Sequence, residues 1–286
     1  MNDSGGPAPG VYPVRFGMAE LLNDLDRPDG WLLSVGGVAQ SYVDLDDPTH
    51  LEFDYVRRIG DVIDCLGEPE AALDAVHVGG AGCTLPRYVA STRPGSRQLV
   101  LEADAELVEL VWSRFRLHEV PELTLQASEG RTGLRGQPAD SADLVVVDAF
   151  ERDRVPTGLA TVEFFEDVAR VLRPSGSVVA NIFDGNALEF TRRLLATLFT
   201  VFPHALLLAE PQVLRGRRLG NVVLVASAKE LPVRQLTRRA ASAIFPARCQ
   251  DTDDLKRLCG NAEPLTDASP MSAPTLPKDR LGLFSS

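Results

Sequence analysis

Ala75-Val76-His77-Val78-Gly79-Gly80-Ala81-Gly82, read with Leu99-Val100-Leu101-Glu102 further on, decides how this chain folds. An apolar run breaks into glycines, and a second apolar run ends on an acid twenty positions after Gly82. The order is that of strand, tight turn, helix, strand and carboxylate. Gly79, Gly80 and Gly82 suit such a turn, because a missing Cβ lets the chain leave a parallel strand sharply and lets a ligand lie against backbone N–H groups at the next helix start. Glu102, followed by Ala103, can accept both hydroxyl hydrogens of a ribose. The glycines alone would equally fit a turn that holds nothing. Turn and acid together favour a nucleoside-containing ligand.

The third glycine of a dinucleotide fingerprint is missing. Gly80-Ala81-Gly82-Cys83-Thr84 runs into Leu85 where that fingerprint packs helix directly on strand. NAD is therefore disfavoured, and the class I S-adenosylmethionine-type folds, whose ligand has no pyrophosphate to cradle, become the expectation.

With 286 residues and 44% apolar content, the chain is long and apolar enough to bury a full core. A formal charge of -11 opposes a nucleic-acid or anionic-membrane surface, either of which needs clustered Lys and Arg. Small neutral or cationic substrates fit better. Cys65, Cys83, Cys249 and Cys259 have no C-x-x-C spacing, and His50, His77, His118 and His204 are scattered, so no metal is expected and the thiols read as idle in a reducing cytoplasm. No apolar run approaches the roughly 20 residues of a membrane span, and the N-terminus lacks a basic signal start, so a cytoplasmic protein is expected.

Around the deciding stretch the chain divides into four parts. Residues 1–10, small and polar with Pro7 and Pro9, read as a disordered lead-in. Residues 11–50 carry strand candidates at 11–16, 31–35 and 38–44, with turns at Arg27-Pro28-Asp29-Gly30 and Gly36-Gly37, and read as a small antiparallel β appendage. From 51 to 230, helical spacing over 51–66 leads into alternating strands and helices: strands at 75–78, 98–101, 122–126, 144–147 and 177–182, helices at 84–92, 104–116 and 161–172. A further helix over 188–202 and strands at 205–209 and 221–226 close the series. Alternation of this kind predicts an α/β, Rossmann-like fold of class I methyltransferase type, with a mostly parallel seven-stranded sheet. Thr161 can cap one helix and Arg173-Pro174-Ser175-Gly176 can end it. Residues 231–286 read as a helix to about 245 and then a polar, partly disordered tail.

Ligands of an open parallel sheet bind outside the carboxyl ends of its strands, and those positions are acidic here. Glu102 and Asp104 follow one strand, Ser128-Glu129-Gly130-Arg131 another, and Asp148-Ala149-Phe150-Glu151 a third. Glu129 can accept from an adenine amine. Asp148 and Glu151 can hold a cationic amine, and one of them can take its proton. Loop acids also cap helices or face water, but acids after three successive strands are harder to explain that way.

The glycine turn, Leu101-Glu102-Ala103-Asp104, Ser128-Glu129-Gly130-Arg131, Val147-Asp148-Ala149-Phe150 and Thr161-Val162-Glu163-Phe164-Phe165 through Leu172-Arg173-Pro174 stand in an order and spacing that resembles the spermidine synthases, nearest their bacterial spermidine synthase-like branch. Gly36-Gly37-Val38-Ala39-Gln40-Ser41 and Tyr55 resemble the family's N-terminal region, so the resemblance covers about residues 12–226. It implies transfer of an aminopropyl group from decarboxylated S-adenosylmethionine to an amine such as putrescine, by a homodimer. On that resemblance Gly79, Gly80, Gly82, Glu102, Ala103, Glu129, Gly130 and Gln40 would contact the donor. Asp148, Glu151 and Tyr55 would act on the amine, with Gln40 and Tyr55 lining the substrate cavity. Two positions depart from the family: Gly82-Cys83 stand where its glycine loop carries an acid, and Tyr55-Val56-Arg57 where a Tyr-His-Glu run is usual. If Arg57 points inward, it would repel a polyamine. A methyltransferase using intact S-adenosylmethionine and a non-catalytic adenosyl-binding homologue are the alternatives.

Overall fold

The computed structural model describes residues 7–151 and 154–275, and within them two sheets. The smaller is antiparallel, with strands β1 (Gly10–Val14), β2 (Gly17–Asn23), β3 (Gly30–Val35) and β4 (Val38–Asp44) in that spatial order. Gly36 and Gly37 sit at φ +59° and +79° between β3 and β4, the left-handed pair that matches a two-residue hairpin to strand twist. β2 was not among the sequence expectations, because it alternates weakly and Gly17 interrupts the run it shares with β1.

The larger sheet has the order β12-β10-β11-β9-β8-β5-β6-β7. β5 (Ala75–Val78), β6 (Gln98–Glu102), β7 (Leu123–Ala127), β8 (Ala142–Val147) and β9 (Leu172–Asp184) run parallel; β10 (His204–Ala209), β11 (Gly220–Ser227) and β12 (Arg248–Gln250) join in antiparallel pairs. Helices α1 (Asp54–Cys65), α2 (Thr84–Thr92), α3 (Ala105–Arg114), α4 (Gly130–Arg135), α5 (Val162–Val171) and α6 (Glu189–Val201) separate the strands, followed by the short α7 (Pro211–Leu214) and by α8 (Val233–Ser242) and α9 (Thr252–Cys259). Leu144 and Val146 of β8 enter one core and Val145 and Val147 the other, which is why that strand is apolar without alternation. Thr161 caps α5 by accepting from the Phe164 N–H, an interaction worth about 1 kcal/mol.

Two expectations need correction. The sheet has eight strands rather than seven, because Leu207–Ala209 of β10 pair with β12, a segment too short and too mixed to read as a strand. As expected, α5 stops at Val171, directly before Arg173-Pro174-Ser175-Gly176, and that segment continues as extended chain at the start of β9. The chain past residue 245 is ordered through β12 and α9 and packs onward to residue 275, where Leu265 and Ala273 are core residues. The remaining tail, 276–286, and residues 1–6 of the expected lead-in lie outside the described residues. The small sheet is also more than an appendage. Leu21, Trp31, Leu33 and Val43 share one core with Cys83 of the glycine turn and with Leu107, Val111 and Phe115 on or beside α3.

Candidate active site

The site lies at the carboxyl ends of β5, β6, β7 and β8, where two cavities meet. A larger one of about 240 Å³ is bounded by Gly79, Gly80, Glu102, Ala103, Glu129, Gly130 and Glu151 of the large sheet's loops, and by Arg15, Phe16, Val35 and Gln40 of the small sheet. A narrow one of about 40 Å³ is bounded by Tyr42, Glu52, Phe53, Tyr55, His77 and Thr84. Gln40, Gly79, Gly80, Ala81, Asp148 and Phe150 border both.

The glycine turn is held from below by the acid it was expected to accompany. Glu102 Oε2 accepts from the N–H groups of Gly80 (3.1 Å) and Ala81 (3.3 Å), and Oε1 from the N–H of Asp104 (3.1 Å). A carboxylate has about four lone-pair sites, so capacity remains for ribose hydroxyls. Gly79 is required by conformation and space: φ is +86°, and a Cβ would run into the Asp148 carbonyl oxygen. Gly82, expected among the donor contacts, borders neither cavity. Its N–H donates to Ser41 Oγ at 3.0 Å, and a Cβ there would meet Val43 Cγ2 at 2.8 Å and Ser41 Cβ at 2.9 Å. The small sheet therefore occupies the space an acidic side chain would need. Cys83 beside it is fully buried, and burial pushes its thiol up to about 12, so it stays protonated.

Asp148 stands at the junction of the cavities. Burial raises its carboxyl to about 6, against hydrogen bonds from Asn181 and Tyr55 that favour the ionised form. Asn181 Nδ2 donates to Asp148 Oδ1 at 2.8 Å, and Asn221 Nδ2 donates to Asn181 Oδ1 at 3.0 Å. These amides, on β9 and β11, orient the carboxylate, and sequence reading missed both because nothing local marks an Asn inside an apolar strand. Tyr55, on α1, is brought to Asp148, and it borders the narrow cavity. Glu151 borders the larger cavity together with Asp148, its side chain exposed, while Asp148 borders both spaces.

Two further groups of the narrow cavity escaped the sequence. His77 is buried and bonded to Gln98 Oε1 at 3.0 Å; burial pulls it down to about 4, so it is neutral at physiological pH. Gln98 donates its amide to Pro86 O, which leaves its Oε1 to accept and places the imidazole proton on Nε2. Glu52 supplies a second acid. Arg57 does not point inward: its guanidinium donates to the Leu51 carbonyl and to Asp54 Oδ1 (3.0 Å) and reaches Glu52 at 3.5 Å. Arg57 borders neither cavity, and its charge is paired with Asp54 and with Glu52 of the narrow cavity's border, so the condition on which it would repel a polyamine is not met.

Among the described residues, no group of three or more His, Cys, Asp or Glu side chains is placed to hold a metal, and no helix is long and apolar enough to cross a membrane.

No family model matches the chain. A probable spermidine synthase from Corynebacterium glutamicum is 33% identical, and its crystal structure superposes over 91% of this chain and 97% of its own with a TM-score of 0.85. Polyamine aminopropyltransferases from Chromobacterium violaceum and Vibrio vulnificus are 27% and 26% identical over 162 and 175 residues. These alignments cover 54% and 59% of this chain and span only 59% and 55% of those curated relatives. The spermidine synthase of Thermotoga maritima, 14% identical with 87% of each chain covered and a TM-score of 0.58, shares the fold.

Proposed function

This chain belongs to the spermidine synthase family of polyamine aminopropyltransferases, and from that premise we propose that it moves the aminopropyl group of decarboxylated S-adenosylmethionine to the nitrogen of a small amine such as putrescine. The observation that carries the reading is Asp148, one carboxylate bordering a nucleoside-sized and a narrow cavity and held by Tyr55 and Asn181. The donor would lie in the larger cavity with its ribose on Glu102 and its adenine toward Glu129. The acceptor amine would lie in the narrow one.

An ammonium has no lone pair to attack with. Asp148, titrating near 6, is largely ionised at neutral pH and takes that proton as the amine approaches. The amine nitrogen then forms a bond to the carbon next to the donor's sulfonium, the carbon–sulfur bond breaks, and its electron pair neutralises the sulfur to leave methylthioadenosine. A sulfonium is already a good leaving group, so the protein's main contribution is alignment of nitrogen, carbon and sulfur across the shared wall. Gln40, Tyr55 and Phe150 would define that line.

Gly82 favours a second reading. With no acid in the glycine turn to grip the donor's amine, intact S-adenosylmethionine and methyl transfer become the alternative. Mass spectrometry of the spent donor decides: methylthioadenosine supports aminopropyl transfer, S-adenosylhomocysteine supports methyl transfer, and neither product despite tight donor binding indicates a non-catalytic binding protein. A homodimer in the cytoplasm is the setting we propose, with sedimentation as the check on its assembly.

A further inference from the structure

The turn between β1 and β2 makes contacts that the small sheet's own folding does not need. The backbone N–H groups of Arg15 and Phe16 donate to the two carboxylate oxygens of Asp104, each at 3.1 Å. Asp104 is buried, and its Oδ1 also caps α3 through the Leu107 N–H at 2.9 Å. Its own N–H is held by Glu102. Glycine turn, ribose acid, α3 and the β1–β2 turn thus form one connected set of hydrogen bonds. The Arg15 side chain extends the set across the cavity border: Nη1 donates to the Ala103 carbonyl at 2.8 Å and pairs with Glu129 Oε1 at 3.0 Å, with the guanidinium over the Phe16 ring. Arg15, Phe16, Ala103 and Glu129 all border the larger cavity.

We infer that the β1–β2 turn is the purine wall of the donor cavity, and that Arg15 is a positioning residue that holds Glu129 where it accepts from the 6-amino group of an adenosyl ligand. The inference rests on the donor reading above. Both partners of the Arg15–Glu129 pair are about half exposed or more, so the pair adds little to folding. Its consequence is geometric. A glutamate side chain has three rotatable bonds, and Arg15 restricts them by anchoring one oxygen to a guanidinium whose other contact, Ala103, belongs to the strand end that carries the ribose acid. A purine amine then meets an acceptor already in place, whereas a 6-oxo purine brings its own acceptor against the carboxylate.

The test is calorimetric titration of the full chain with methylthioadenosine and with methylthioinosine, which differ only at the 6-substituent and the N1 proton that goes with it. Wild type should prefer the adenosine form. Arg15→Ala should weaken methylthioadenosine about tenfold while leaving methylthioinosine within about twofold, so the preference collapses. Arg15→Lys, which keeps the charge but cannot reach both Ala103 and Glu129 with one planar group, should fall between and guards against misfolding of the alanine variant. Equal loss for both nucleosides, or unchanged preference, overturns the inference while sparing the donor reading. No binding of methylthioadenosine to wild type overturns the donor reading and the inference with it.

Discussion

The two cavities that meet at Asp148 are made of different material. The larger is walled chiefly by strand ends and turns that follow one another along the chain: Gly79 and Gly80 after β5, Glu102 at the end of β6, Glu129 and Gly130 after β7, Asp148 after β8. The narrow one gathers Gln40 from β4, Tyr55 from α1, His77 from inside β5 and Thr84 from α2 around the same aspartate. The first depends on backbone and on a repeated position in a parallel sheet. The second depends on packing between segments far apart in sequence, so substitutions on the two sides should fail in different ways.

The largest expected effect belongs to the shared residue. Asp148→Asn keeps the shape and removes the base, and turnover should fall by about 10²–10⁴-fold with donor affinity within about twofold. Unchanged turnover in a steady-state assay would sink the role of Asp148 and dissolve the distinction between its two faces. The same variant should be the more stable protein. The folded-state carboxyl titrates near 6 against an ordinary 3.8, so between those limits the folded chain keeps a proton the unfolded chain has lost. Stability therefore falls as pH rises through that interval, and above it the full cost of the buried charge is in place, about 1–3 kcal/mol. Denaturant melts at pH 7.5 should show Asp148→Asn gaining stability of that order, and a loss would mean that the carboxylate is better solvated than its surroundings indicate.

On the donor side, Glu102→Ala should weaken methylthioadenosine binding by about tenfold or more, since a charged acceptor to ribose hydroxyls is worth about 1.5–3 kcal/mol. It also leaves the N–H groups of Gly80 and Ala81 without their partner. Undiminished affinity by calorimetry would refute the ribose assignment. On the acceptor side, wild-type kcat/KM should rise through about pH 6 and level off above it, as Asp148 ionises. Asn181→Ala removes a hydrogen bond that favours the ionised form, and should move that rise upward by about one pH unit. A pH profile that stays put would show that Asn181 only fills space.

The smallest change is expected from Arg57→Gln. Its guanidinium is engaged with Leu51, Asp54 and Glu52, so amine KM should change by no more than about threefold. A larger improvement for a diamine would show that the arginine's field reaches the narrow cavity after all.

Legibility followed the same division. A parallel sheet repeats one geometry at each strand end, so glycines and acids at those places announce themselves in order along the chain, and Gly79, Glu102, Glu129 and Asp148 are legible in the sequence. The eighth strand could not, because β12 owes its conformation to the edge of β10 rather than to three residues of its own. Asn181 and Asn221 were equally hidden: an amide in a buried strand carries no signal until its partner across the sheet is known.

Local order and apolar patterning, then, were sufficient for the α/β class, the glycine turn and the acidic rim, since each follows from neighbours in the chain. Side-chain direction was not contained in them. Arg57 turning toward Asp54, Gly82 seating the small sheet against Ser41, and Arg15 reaching Glu129 all depend on which distant surfaces pack together, and that is settled by burial of a shared core rather than by any short stretch of residues.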